Sequence, residues 1–110
     1  MTTRIRLCAI GEVAAGAALQ VKANGHAPFA VFNVDGTFYV TEDTCTHGKA
    51  SLGDEGELNG CIVTCTWHDG RFDVRTGEPC AMPCTKAIRT FPVTVAEESV
   101  WIDVEEEASP

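Results

Sequence analysis

Two stretches, Cys45-Thr-His-Gly48 and Cys65-Thr-Trp-His68, decide how this 110-residue chain reads. Each supplies one thiol and one imidazole, and 17 residues separate His47 from Cys65. Strand-like sequence precedes both, and Gly48 and Gly70 provide turns close behind them. The spacing predicts four metal-binding side chains, Cys45, His47, Cys65 and His68, on the tips of two neighbouring loops. Two thiolates and two imidazoles make a good tetrahedral set for zinc. Zinc fingers, however, usually draw both cysteines from one knuckle and both histidines from the other. Loops that each mix the two types suit a binuclear centre, in which one metal takes both thiolates and the other both imidazoles. Zinc stays open as the competing reading.

Outward from these loops the pattern is of short strands between turns. Strands are predicted over Arg4–Ile10, Ala18–Ala23, Phe29–Val34, Thr37–Thr41, Gly60–Cys65, Arg71–Arg75, Ile88–Val95 and Val100–Val104. Asp35-Gly36 is a strong two-residue hairpin signal, because both residues tolerate positive φ. Only Glu12–Leu19 has room for a turn of helix, and Glu105–Pro110 reads as a frayed acidic tail. Many short strands at close spacing predict an all-β domain, an antiparallel sandwich or barrel spanning residues 1–110 as a single unit.

Composition narrows the function classes. Apolar residues make up 45% of the chain and charged residues 22%, as in a soluble globular protein. The longest apolar stretch near the start, Val13–Leu19, is far too short for a membrane span. Arg4 and Arg6 ahead of Leu7–Ile10 weakly resemble a signal peptide, but Glu12 interrupts the run, so a cytoplasmic location is the expectation. Sixteen acids against eight bases give a net charge of −8, which phosphate backbones repel; no nucleic-acid partner is expected. A macromolecular partner would instead present a basic surface.

The pair Cys45-x-His47 and Cys65-x-x-His68, in this order and spacing, resembles the Rieske ferredoxins, and among them the small ferredoxins of bacterial aromatic-ring dioxygenase systems. The strand-rich frame, the Asp35-Gly36 hairpin and the proline-containing loop at Met82-Pro83 extend the likeness over nearly the whole chain. The resemblance implies a Rieske fold, with a small cluster-binding subdomain over roughly residues 43–84 at one end of an antiparallel β framework. It implies one 2Fe-2S cluster, with Cys45 and Cys65 on a buried iron and His47 and His68 on an iron nearer solvent. It also implies the role of a soluble, monomeric one-electron carrier, passing electrons from an NAD(P)H-dependent ferredoxin reductase to a terminal Rieske non-haem iron dioxygenase. A small Rieske subunit held permanently within an enzyme, as in assimilatory nitrite reductases, is the alternative, and a zinc-stabilised binding module the third.

Histidine ligation has an electrostatic consequence. With two thiolates and two neutral imidazoles the oxidised cluster is formally neutral, and reduction leaves a single negative charge. Four thiolates would make it a dianion before the electron arrived, so imidazoles raise the potential. The high-potential relatives of respiratory complexes carry an extra cysteine in each loop, joined as a disulfide. The matching positions here are Ala50 and Trp67, which cannot form one. Those relatives also place a serine and a tyrosine where this chain has Gly70 and Phe72, so the resemblance implies fewer hydroxyl donors to sulfur and a comparatively low potential.

The chain carries no catalytic centre of its own in this reading. A mononuclear iron site needs two further histidines and a carboxylate, and of three histidines only His26 is left over. There is no G-x-G-x-x-G fingerprint for a flavin or nicotinamide. Glu42, Asp43, Asp54, Glu55, Glu57, Asp69 and Asp73 lie in or beside the cluster loops, and those that ring the His47 and His68 edge would make a docking surface for basic partners; Lys49 and Arg71 interrupt it. Trp67 is expected to shield the cluster. Cys8 and Cys61 read as small hydrophobes, and Cys80 and Cys84 as core or loop thiols, with a bridge between them or a second metal site as the alternative. Phe29, Phe32, Phe38 and Trp101 are expected in the core, and His26 in an exposed turn.

Overall fold

Strand β3 (Phe29–Val34) has no polar face, and that decides the architecture: five of its six residues are buried. The computed structural model describes residues 2–23, 26–44, 51–65, 70–81 and 87–105. Within them the strands form three antiparallel sheets. The first contains β1 (Thr2–Ala9), β11 (Ser99–Glu105) and β10 (Val93–Ala96), in that order; the second contains β2 (Ala18–Val21), β3, β4 (Thr37–Glu42) and β9 (Thr90–Phe91). The third contains β5 (Gly56–Asn59), β6 (Ile62–Cys65), β7 (Arg71–Asp73) and β8 (Pro79–Ala81). The expected all-β antiparallel framework is what forms. Among the described residues no helix is long and apolar enough to cross a membrane.

Because side chains alternate along a strand, β3 serves two cores. Phe29 and Val31 pack with Leu7, Val13, Val40, Val100 and Ile102, which fills the space between the first two sheets. Ala30 and Phe32 point the other way, onto Leu52, Val63, Cys65, Phe72, Val74 and Ile88. Fully burying a side chain such as Phe32 stabilises by roughly 1.5–3 kcal/mol. The same alternation explains a correction: Val100, Ile102 and Val104 face the core, so Trp101 lies on the outer face of β11. It is half-buried, and its indole N–H donates to the Ala96 carbonyl at 3.1 Å. Phe38 is also only half-buried, packed at the margin of the first core.

Local differences from the sequence reading have physical causes. No α-turn forms over Glu12–Leu19. A 3-10 turn at Ile10–Glu12 takes its place, with the Glu12 carboxylate accepting from the Ala9 amide at 2.7 Å. The Gly16 amide then bonds the Asn33 carbonyl at 2.8 Å, which prolongs the β2–β3 ladder. The single strand expected over Ile88–Val95 is two strands in different sheets. Pro92 between them has no N–H for a ladder, so β9 pairs with β4 and β10 with β11. Strands β5 and β8 and the one-turn helix α1 (Leu52–Glu55) were not anticipated; each is four residues or fewer. His26 is half-buried rather than exposed, its ring 6.0 Å from that of Phe29.

Two hairpins turn tightly. Asp35 and Gly36 have φ of 55° and 92°, as the sequence predicts, and the Asn33 side chain accepts from the Gly36 amide at 2.8 Å. Between β10 and β11 the turn residues are Glu97 and Glu98, with φ of 53° and 58°. No residue there favours the left-handed region. The pairing of the flanking strands imposes it, and the bond from the Ile10 amide to the Glu98 carbonyl at 2.9 Å fastens it. Replacing Glu98 by Gly is expected to stabilise the protein by about 0.5–1 kcal/mol, since relief of left-handed strain outweighs the added freedom of the unfolded chain. Urea unfolding of the two proteins side by side measures this; an unchanged or lower midpoint for E98G contradicts it.

Candidate metal centre

Cys65 ends β6, whose alternation buries Val63 and Cys65 and leaves Ile62 and Thr64 half-buried. Its residue is 1% exposed and belongs to the second core, beside Leu52 and Phe72. The Cys65 amide donates to the Gly70 carbonyl at 2.7 Å, so the chain leaves β6 and returns at a fixed point, closing the loop 66–69. Across the sheet, Cys65 pairs with Gly56 at the start of β5.

The base of the other loop is equally defined. An isolated bridge between Thr44 and Ser51 closes residues 45–50. The chain then enters α1, capped by the Ser51 hydroxyl, which accepts from the Asp54 amide at 3.0 Å, while the Glu55 carboxylate takes the Ser51 amide at 3.3 Å. Helix α1 is wedged between β2 and β6, and one glycine within it and one directly after it allow that. A methyl on Gly53 would sit 2.6 Å from the Gln20 amide nitrogen, and one on Gly56 would run into the Leu52 carbonyl oxygen. Through α1, the two loop bases share one core.

Cys45, His47 and His68 lie outside the described residues, as do Lys49, Ala50, Trp67, Asp69, Met82, Pro83 and Cys84. Of the four ligand candidates, the described structure locates Cys65. Its surroundings suit a 2Fe-2S cluster: a soft sulfur donor, sealed from water at the root of a closed loop. Gly70 is buried and Phe72 fully so, and neither offers a hydroxyl to a sulfur. Among the described residues no three His, Cys, Asp or Glu side chains converge as another metal site.

The remaining cysteines are spread out. Cys8 is buried in the first core; burial above all, and then Glu12, pushes its thiol up from the ordinary value, against the opposing pull of Arg6. Cys61 falls in the turn before β6, half-buried and packed against the second core. Cys80 is exposed, its sulfur 3.6 Å from the Glu78 carbonyl.

The acids near the loops sort into two groups. Asp43 is no surface group: it is 2% exposed, and its carboxylate accepts hydrogen bonds from Ser51, Gly53 and Gln20. Asp73, 15% exposed, pairs with Arg75 at 2.8 Å; that hydrogen bond outweighs burial and holds its carboxyl below the usual range. Glu42 is half-buried and accepts from the Arg89 amide at 2.9 Å. Asp54, Glu55 and Glu57 are exposed, and so is Arg71. The roles of Gln20, Ser51 and Gly53 were missed in the sequence; Ser51 followed by acids at 54 and 55 resembles a helix start and was the available signal.

Comparison with known proteins matches residues 3–92 to the Rieske [2Fe-2S] domain. The ferredoxin component of the p-cumate 2,3-dioxygenase system of Pseudomonas putida is 49% identical over 105 residues, covering 94% of this chain and 88% of that protein. Among solved structures, the Sphingomonas yanoikuyae B1 ferredoxin superposes with a TM-score of 0.88 at 41% identity, covering 94% of this chain and all of that one. The complex of reduced oxygenase and oxidized ferredoxin in carbazole 1,9a-dioxygenase contains a chain with a TM-score of 0.86 at 40% identity, covering 96% of this chain and 97% of that one. With the motif, the β framework and a match over most of its length in agreement, the chain belongs to the Rieske [2Fe-2S] domain family.

Proposed function

We propose that Cys45, His47, Cys65 and His68 hold a single Rieske-type 2Fe-2S cluster, in a subdomain of roughly residues 43–84. The chain then carries one electron at a time from an NAD(P)H-dependent ferredoxin reductase to a terminal aromatic-ring dioxygenase. It acts in the cytoplasm as a monomer and is not itself the catalyst. The observation that carries this reading is Cys65, a buried thiol at the root of a closed loop, within a chain 49% identical to a dioxygenase ferredoxin component. The alternative of a permanent nitrite reductase subunit draws no support from these relatives, whose names are those of ferredoxin components.

When bound, the cluster supplies a centre that accepts and releases one electron. The protein's part is to hold that centre rigid and to set its surroundings. Bonds between the residues that flank each ligand segment, Thr44 with Ser51 and Cys65 with Gly70, fix where the chain leaves the framework and where it returns. The core beneath, with Leu52, Val63 and Phe72, keeps water from the thiolate side. Among the described residues, Asp54, Glu55 and Glu57 follow the first ligand loop directly and stay exposed, and their charge would favour basic patches on partners docking near His47 and His68.

Replacing Cys65 by Ser is expected to lower iron and acid-labile sulfide per chain at least about tenfold and to abolish the EPR signal of the dithionite-reduced protein. A variant that keeps both, or a native protein loaded with zinc, overturns the ligand assignment. For the native protein, redox titration is expected to give a midpoint at the low end of the roughly −150 to +300 mV Rieske range, because neither Gly70 nor Phe72 carries a hydroxyl to donate to a sulfur. A clearly positive value contradicts this. Raising ionic strength from about 0.1 to about 1 M shortens the screening length from about 10 to about 3 Å, and electron delivery to the oxygenase should slow about tenfold or more. Rates indifferent to salt would dispose of electrostatic docking.

A further inference from the structure

Asp43 is the only charged side chain buried among the described residues. Burying a carboxylate is costly unless its oxygens are satisfied, and among the described residues no cation pairs with this one. Three neutral donors satisfy it. Oδ1 accepts from the Ser51 hydroxyl at 2.9 Å and the Gly53 amide at 2.8 Å, while Oδ2 accepts from the Gln20 side-chain amide at 2.8 Å. Its backbone is engaged as well: the Asp43 amide donates to the Pro28 carbonyl at 3.1 Å, and the Leu52 amide donates to the Asp43 carbonyl at 2.8 Å.

These bonds have one geometric outcome. Asp43 stands two residues before Cys45, whereas Ser51, Leu52 and Gly53 stand just after the loop 45–50. The residue therefore ties the entry of the first ligand loop to its exit, and through Gln20 ties both to β2. An asparagine could make nearly the same bonds. Its oxygen would take the Ser51 and Gly53 donors, and the Gln20 amide could turn its own oxygen toward the asparagine NH₂. The fold alone thus needs the shape of Asp43, not its charge. A negative charge in the interior, two residues along the chain from the candidate ligand Cys45, would disfavour an added electron on a cluster held there.

We infer that Asp43 is a positioning residue for the cluster, clamping the first ligand loop by its hydrogen bonds and lowering the midpoint potential by its charge. This rests on the assignment of Cys45 and His47 as ligands. Three holoprotein variants test it against the native protein, whose iron, sulfide and EPR signature are measured first, so that a wrong ligand assignment shows itself before any variant is compared. Asp43→Asn is expected to retain the cluster and its EPR type while its midpoint rises. Ser51→Ala, which leaves the charge in place, should keep the native midpoint but lose iron to a chelator about tenfold faster. Asp43→Ala, which leaves three donors without an acceptor, should lose iron faster still, about 10–100-fold over the native protein. A native Rieske signature combined with an unchanged midpoint in D43N refutes the role of the charge. Native iron retention in S51A refutes the clamp, even if D43A fails to fold.

Discussion

The two-sided burial of β3 is the constraint on which the rest of the molecule depends. Phe29 and Val31 close the sandwich between the first and second sheets, and Ala30 and Phe32 form the floor on which the third sheet and α1 rest. A strand with a polar face could support only one of these cores. Because β3 supports both, the sheet that carries Cys65 shares a buried wall with the framework. For an electron carrier this has a direct use: a cluster that does not move relative to its surroundings needs little reorganisation when its charge changes.

Around that wall the loop roots are organised by hydrogen bonds at short sequence separation and by close backbone approach. Thr44 meets Ser51, Cys65 meets Gly70, Gly53 lets α1 press against the backbone of β2, and Gly56 leaves room for the Leu52 carbonyl and the Val63 side chain. The charge of the protein is distributed to match. Two of the acids nearest the loops are withdrawn from the surface, Asp43 by burial and Asp73 by its pairing with Arg75. Asp54, Glu55 and Glu57, at the exit of the first loop, stay in water. Among the described residues, the exposed acidity beside the loops is therefore carried by fewer residues than a count of neighbouring carboxylates implies.

The sequence by itself determined the family, the cofactor type and most of the strands. Thiols and imidazoles at Cys45, His47, Cys65 and His68 are few chemical types in a fixed order, and Asp35-Gly36 announces its turn because those residues tolerate positive φ. Tertiary structure alone decided the rest. Glu97-Glu98 turns because β10 and β11 pair around it, although neither residue favours the turn. Trp101 stands outside because its neighbours on β11 face the core. Asp43, which reads as one more surface acid, is interior because Gln20 on β2 and Ser51 and Gly53 beyond the loop converge on it. Local chemistry is written in residue types at short range; whether a carboxylate meets water or protein donors depends on chain segments 8 to 23 residues away, and only folding brings these together.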